Sequence, residues 1–227
     1  ESDLSKSTFI GLLGLQDPLR PAAKEEIEVA AKAGVRTVVI TGDHPKTAEA
    51  IGIQAGFNAR EGSIITGVEM DEWSDKELKK RVDGIDIYAR VEPKHKLRIV
   101  DAWQSKGMVV AMTGDGVNDA PAIKAADIGI ALGSGTEVAK EASDLVLVNN
   151  DLGTITAAIE EGRVIFDNIR KTIVYLMTDS FTEIVLIGGA LLFGLPLPLL
   201  PVQILWINFV ADSFPNIALT MEPGEPD

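Results

Sequence analysis

The stretch between Glu183 and Asp212 constrains this chain most. No charged residue occurs between those two carboxylates, and from Ile184 to Val210 only Gln203, Trp206 and Asn208 hydrogen-bond strongly. Soluble domains rarely carry such a run. Gly194, Pro196, Pro198 and Pro201 interrupt it, so it reads as two apolar helices joined by a loop. Each is about long enough to cross ~30 Å of hydrocarbon. Arg163, Arg170 and Lys171 precede the first helix, and no basic residue follows them. The positive-inside rule sets that side in the cytoplasm. Two crossings of the lipid bilayer then return the acidic tail "EPGEPD" to the same side. The expected bounds are a stalk helix over 151–171, membrane helices over 172–195 and 202–220 with a loop at 196–201, and a cytoplasmic tail at 221–227.

Residues 1–150 have a different texture. Short apolar runs alternate with helical patterns, with no hairpin dipeptides between them. "FIGLLGL" (Phe9 to Leu15), "VRTVVI" (Val35 to Ile40), "IDIYARV", "MVVAM", "IGIAL" and "LVLV" read as strands. Helices are expected from Pro21 to Ala33, Pro45 to about Ala55, Pro93 to Lys106, Asn118 to Ala125, and briefly from Thr136. Residues 58–84 read as irregular, with one short helix near Ser74 to Arg81. This alternation predicts right-handed βαβ units and a parallel, Rossmann-like sheet, the α/β class. In such sheets ligands bind beyond the carboxyl ends of the strands. Two expected strands end in the same tripeptide, Thr41-Gly42-Asp43 and Thr113-Gly114-Asp115.

Composition removes several alternatives. A net charge of -13 argues against nucleic-acid binding, which needs a basic face. There is no cysteine, and His44 and His95 are the only histidines, so disulfides, thiolate sites and a histidine-rich zinc site are excluded. The first residue is Glu1, and no signal-peptide pattern follows; a piece of a longer or processed protein is the expectation.

The chemistry concentrates in "MTGDGVNDAP", Met112 to Pro121. It is not a calcium loop of the EF-hand type, because Val117 stands where an oxygen ligand is required. A magnesium and phosphate site at a strand end fits better. Asp115 and Asp119 could hold the ion, directly or through water, and Asn118 could donate to a phosphoryl oxygen or orient Asp119. Thr41 offers a hydroxyl and a backbone N–H at a neighbouring strand end. A lysine is wanted for the equatorial oxygens of the transferring group; Lys96 is best placed, with Lys94 as competitor. No nucleophile is evident, and Asp17 reads as a helix-start residue. In the membrane segments Ser180 and Glu183 share one helix face, and Asn208 and Asp212 share another. Carboxylates at membrane depth with an amide and no basic partner favour a cation site. Pro215 suggests that the second helix is locally broken.

The motifs "DPLR", "VVITGDHPKTA", "YARVEPKHKLRIV", "MTGDGVNDAPAIKAADIGIALGSGTEVAKEASDLVL" and "EEGRVIFDNIRK" resemble the phosphorylation-domain and hinge motifs of P-type cation-transporting ATPases. "PVQILWINFVADSFPNIAL" resembles their fifth and sixth membrane helices, most like the calcium-pump branch. The resemblance implies a haloacid dehalogenase-type sheet, ATP and Mg2+ as substrate and cofactor, and coupled cation transport. Thr41, Gly42 and Asp43 would match the family's nucleotide and phosphate contact. Arg90 and Lys96 would match its basic residues, with Lys96 stabilising the phosphoryl group. Asp115 would be the magnesium ligand, supported by Asn118 and Asp119. Ser180, Glu183, Asn208 and Asp212 fall on cation-binding positions. The D-K-T-G-T motif with the phosphorylated aspartate is absent, so that residue is expected in an N-terminal part of the same pump, and the chain alone is expected to be inactive. Ser180 replaces the usual asparagine and Ala211 the usual threonine, leaving a single site on Asn208 and Asp212, or a site for another ion, beside the calcium reading. A haloacid dehalogenase-type phosphatase and a membrane-anchored, non-catalytic magnesium- or phosphate-binding regulator are the alternatives.

Overall fold

The computed structural model describes residues 8, 10–11, 19–57, 60 and 62–224. The chain divides into two compact units, Glu1–Leu152 and Gly153–Asp227. The strand expected over Phe9 to Leu15 lies, apart from Ile10 and Gly11, outside the described residues, as does Asp17.

In the first unit α1 (Ala23–Lys32) leads to β1 (Val39–Ile40) and α2 (Pro45–Gln54). Then come β2 (Ile64–Thr66), α3 (Gly67–Asp71), α4 (Asp75–Arg81), a 3-10 turn at Val82–Gly84 and β3 (Ile87–Ala89). The second half runs α5 (Pro93–Gln104), β4 (Ala111–Gly114), α6 (Ala120–Ala125), β5 (Ile128–Leu132), α7 (Glu137–Ala142) and β6 (Leu145–Leu147). Every strand pair is parallel, in two three-stranded sheets ordered β1-β3-β2 and β4-β5-β6. The α/β class with a parallel sheet is what the alternation of runs predicts.

The two larger apolar clusters cover these strands. Tyr88, Met70, Leu78 and Ile99 form one; Met112, Ile123, Val100 and Ala131 form the other. Ile40 packs against both and so joins the two halves. Each fully buried side chain of this size contributes roughly 1.5–3 kcal/mol.

Several elements depart from the sequence reading. β1 holds two residues rather than six, since only Val39 and Ile40 pair with β3; ahead of it Arg36 bonds Asp86 and the Ile85 carbonyl through its guanidinium. β4 starts at Ala111, later than expected: Asp127 accepts the Val110 N–H at 2.8 Å ahead of it. The stretch 58–84 contains β2 and α3 as well as the expected α4. Thr66 with Glu69 and Ser74 with Glu77 form capping boxes that start α3 and α4.

In the second unit α8 (Gly153–Leu192) is one unbroken helix of 40 residues, with no separation between stalk and apolar part. It is long and apolar enough to cross a membrane. The return leg is broken into α9 (Pro201–Trp206), a π turn at Ile207–Ala211 and α10 (Ser213–Thr220). Asp212 N–H donates to the Ile207 carbonyl, five residues back, at 3.1 Å. Pro215 explains the break, since it has no N–H to continue the ladder. Glu222 closes the hairpin: its carbonyl accepts from Asn168 Nδ2 at 2.7 Å, and its carboxylate pairs with Lys171 at 2.8 Å.

Candidate functional site

In the first unit the Thr41-Gly42-Asp43 loop is laced to the turn after β3. Thr41 N–H donates to the Tyr88 carbonyl at 2.8 Å, and the Thr41 carbonyl accepts from Val91 at 3.2 Å. Arg90 N–H donates to the Asp43 carbonyl at 3.0 Å. The Thr41 hydroxyl donates to Asp43 Oδ2 at 2.9 Å and accepts from the Asp43 N–H at 3.1 Å. Both donors expected of Thr41 are therefore engaged within the protein. The exposed Gly42 N–H has no partner among the described residues. Arg90 is itself exposed, with a left-handed φ of 49° that bends the chain toward α5.

Pro93 then opens α5 and Lys96 falls in its first turn. The Lys96 ammonium forms an ion pair with Asp119 Oδ1, and the other Asp119 oxygen accepts from Gly116 N–H at 3.2 Å. The two side chains are 15 % and 11 % exposed, so the pair is shielded from water. Gly114 makes room for it, because a Cβ there would lie 2.5 Å from the Asp119 Cβ. Lys94, the competitor, instead bonds Asp71 at 3.1 Å and approaches Glu92 at 3.5 Å on the surface.

Asp119 is thus occupied on both oxygens, and Asp115 is not. Asp115 is exposed just beyond β4; its carbonyl accepts from Thr136 N–H at 2.8 Å, while its carboxylate pairs with no side chain among the described residues. Asn118 is exposed beside it. No cluster of three metal-ligating side chains occurs among the described residues. Magnesium does not need one, since it is commonly held by one or two carboxylates together with waters and phosphate oxygens. Asp115 fits that role.

The second unit gathers carboxylates where α8 faces the broken leg. Asp212 is 5 % exposed and accepts from the Tyr175 hydroxyl at 3.1 Å. Glu183 Oε1, Asp179 Oδ2 and Asn216 Oδ1 are buried atoms without a hydrogen-bond partner among the described residues. Asp179 lies one helical turn before Glu183 and near enough to Asp212 for their charges to interact, although the three do not converge as a metal-holding group among the described residues. Ser180 and Asn208 are exposed, so the structure does not draw them into this group. The sequence reading passed over Asp179, although its i,i+4 spacing to Glu183 puts both on one face.

Residues 3–127, more than half of the 227-residue chain, match haloacid dehalogenase-like hydrolases. The chain belongs to that family. Residues 97–159 match a second description of haloacid dehalogenase-like hydrolases, and 196–227 match the C-terminus of cation transporting ATPases. This haloacid dehalogenase-like chain is 50% identical over 228 residues to a calcium-transporting ATPase of Bacillus subtilis, covering 100% of itself and 25% of that protein. A calcium-transporting ATPase type 2C member 2 of Homo sapiens is 44% identical over 226 residues, with 99% of this chain and 24% of the relative covered. The chain therefore spans about a quarter of the length of the curated relatives it matches. Among solved structures, a zinc-transporting PIB-type ATPase in its E2.Pi state matches at a TM-score of 0.65 and 31% identity. That match covers 90% of this chain and 27% of the other.

Proposed function

We propose that this chain is the part of a P-type cation pump that carries the magnesium and phosphoryl site together with two membrane-crossing helices. The observation that carries the reading is the shielded Lys96–Asp119 pair, which joins the R-V-E-P-K-H-K and M-T-G-D-G-V-N-D segments at the strand ends. Lys96 neutralises the equatorial oxygens of the phosphoryl group transferred from ATP, and Asp119 holds the ammonium in place. Gly42 presents a free N–H to phosphate, Asp43 and Arg90 border the nucleotide, and Asn118 donates to a phosphoryl oxygen. Asp115 would hold magnesium, which when bound supplies positive charge against the phosphoryl oxygens. The accepting aspartate belongs to a part of the pump outside these residues.

The two apolar legs cross the bilayer, with the α/β unit in the cytoplasm. Glu183 and Asp212 bind the transported cation, and Asp179 joins them. The buried carboxylate oxygens without partners support this, since such groups at membrane depth are stable only when paired, protonated or metal-bound. Because α8 runs unbroken past Glu183, a displacement at its first turns reaches the carboxylates as a rigid-body shift. Calcium is the cation favoured by the relatives' names.

The test uses the full-length protein reconstituted in vesicles. ATP-dependent uptake of labelled calcium, an acid-stable phosphoenzyme, and a large but measurable fall in the rate of both in Lys96→Ala are expected. Absence of any phosphoenzyme with calcium, zinc or manganese supplied would overturn the reading.

A further inference from the structure

His95 is the third residue of α5 and stands 2 % exposed, directly before Lys96. Its Nδ1 accepts from the Glu92 backbone N–H at 2.8 Å, and its Nε2 lies 3.0 Å from Asp71 Oδ1. A ring nitrogen that accepts carries no hydrogen, so Nε2 carries it and donates to Asp71. The second Asp71 oxygen takes the Lys94 ammonium at 3.1 Å. Asp71 closes α3, and Gly67 opens it. A Cβ on Gly67 would lie 2.5 Å from the Arg90 carbonyl oxygen and 2.8 Å from the His95 ring, so α3 sits against the β3–α5 turn without a gap.

The imidazole therefore ties three things together: the N-cap of α5, the end of α3, and the turn that carries Arg90. We propose that His95, held by Asp71, is a positioning residue for Lys96. The brace fixes the first turn of α5, and with it the place where the ammonium stands beside Asp119. Sequence alone gives His95 no such partner, because Asp71 lies 24 residues away. The inference rests on the reading that Lys96 touches the phosphoryl group during transfer.

The experiment measures single-turnover phosphoenzyme formation from ATP in the full-length protein. The variants are His95→Ala, Lys96→Ala, Asp71→Asn and the His95→Ala/Lys96→Ala double. His95→Ala is expected to slow transfer about tenfold with the ATP half-saturation unchanged, the pattern of an interaction realised in the transition state. Added to Lys96→Ala, it should cost less than about twofold more, because the effect runs through that ammonium. His95→Asn, which keeps an acceptor for the Glu92 N–H, should recover part of the rate, and it carries the same cycle if the alanine variant does not fold. Asp71→Asn should show a smaller loss of the same kind. An equal fold-loss with and without Lys96→Ala, or a wild-type rate in His95→Ala, would overturn the positioning role while leaving the pump reading intact. A wild type that forms no phosphoenzyme would remove the pump reading and this inference with it.

Discussion

Lys96 and Asp119 form a shielded ion pair between the first turn of α5 and the residue that precedes α6. Neither side chain has another charged partner among the described residues, so each leaves the other stranded when removed. Lys96→Ala is expected to destabilise the first unit by about 3–5 kcal/mol, the cost of an unpaired buried charge. Lys96→Met with Asp119→Leu together should cost much less, since no lone charge remains. Chemical denaturation of the two variants checks this. Equal losses would mean that the pair, and not the orphaned carboxylate, provides the stability.

Asp115 gives the opposite separation of fold from chemistry. Its carboxylate is exposed and pairs with nothing among the described residues, so Asp115→Asn should shift stability by less than about 0.5 kcal/mol. Its effect should fall on magnesium. The concentration needed for half-maximal phosphorylation is expected to rise at least about tenfold, in line with loss of a direct ligand. A magnesium titration reads this directly; an unchanged half-point would move the ion to other residues.

Acid should act through Asp71. The hydrogen bond from His95, then that from Lys94, holds its carboxyl below the usual carboxylate range. A carboxyl with a depressed folded pKa contributes stability above its unfolded value of about 3.9, and that contribution fades as pH falls through the folded pKa. Asp71→Asn should therefore lower stability at neutral pH and flatten the acid limb below about pH 4. Unfolding free energies between pH 2 and 7 test the slope. The same limb in both proteins would assign acid sensitivity elsewhere, for instance to Asp127, whose carboxyl is also lowered, by the Val110 N–H and then by Gln104.

How far the sequence discloses these features depends on how local their causes are. The parallel strand-helix alternation, the T-G-D loop ends and Lys96 as the candidate for the phosphoryl oxygens follow from short-range patterns. So does the broken return leg, since a proline in an apolar helix cannot hold its ladder, and the π turn lies just before Pro215. β2 escapes notice because three residues show no period, and its reason to be a strand is the register Ile64 to Ile87 across the sheet. The capping boxes beside it were legible as T-x-x-E and S-x-x-E. The length of β1 is set by its pairing with Ile87 and Tyr88 of β3, far along the chain. The engagement of the Thr41 N–H by the Tyr88 carbonyl and the His95–Asp71 brace are likewise products of distant contacts. Asp179 is a different case: its spacing to Glu183 was present in the sequence, but its proximity to Asp212 depends on how α8 packs on the return leg.

That proximity bears on the proposed cation site. Asp179 and Glu183 lie near enough to Asp212 for their charges to interact, and the Asp212 carboxylate accepts from the Tyr175 hydroxyl. Three carboxyls on facing helices repel unless a cation or protons sit among them. Under that proposal a divalent ion would neutralise two of them, and Asp179 would add charge beyond that of Glu183 and Asp212. Asp179→Asn is therefore expected to weaken calcium activation of the full-length protein about tenfold, with a smaller effect than Asp212→Asn. Tyr175→Phe removes a neutral donor and should cost about 0.5–1.5 kcal/mol of affinity or less. Cation-activated phosphoenzyme formation, followed across a calcium titration, orders the three variants. Asp179→Asn that binds calcium as well as wild type would show that this carboxyl is held protonated, bridging to Asp212 as a structural contact rather than facing the ion.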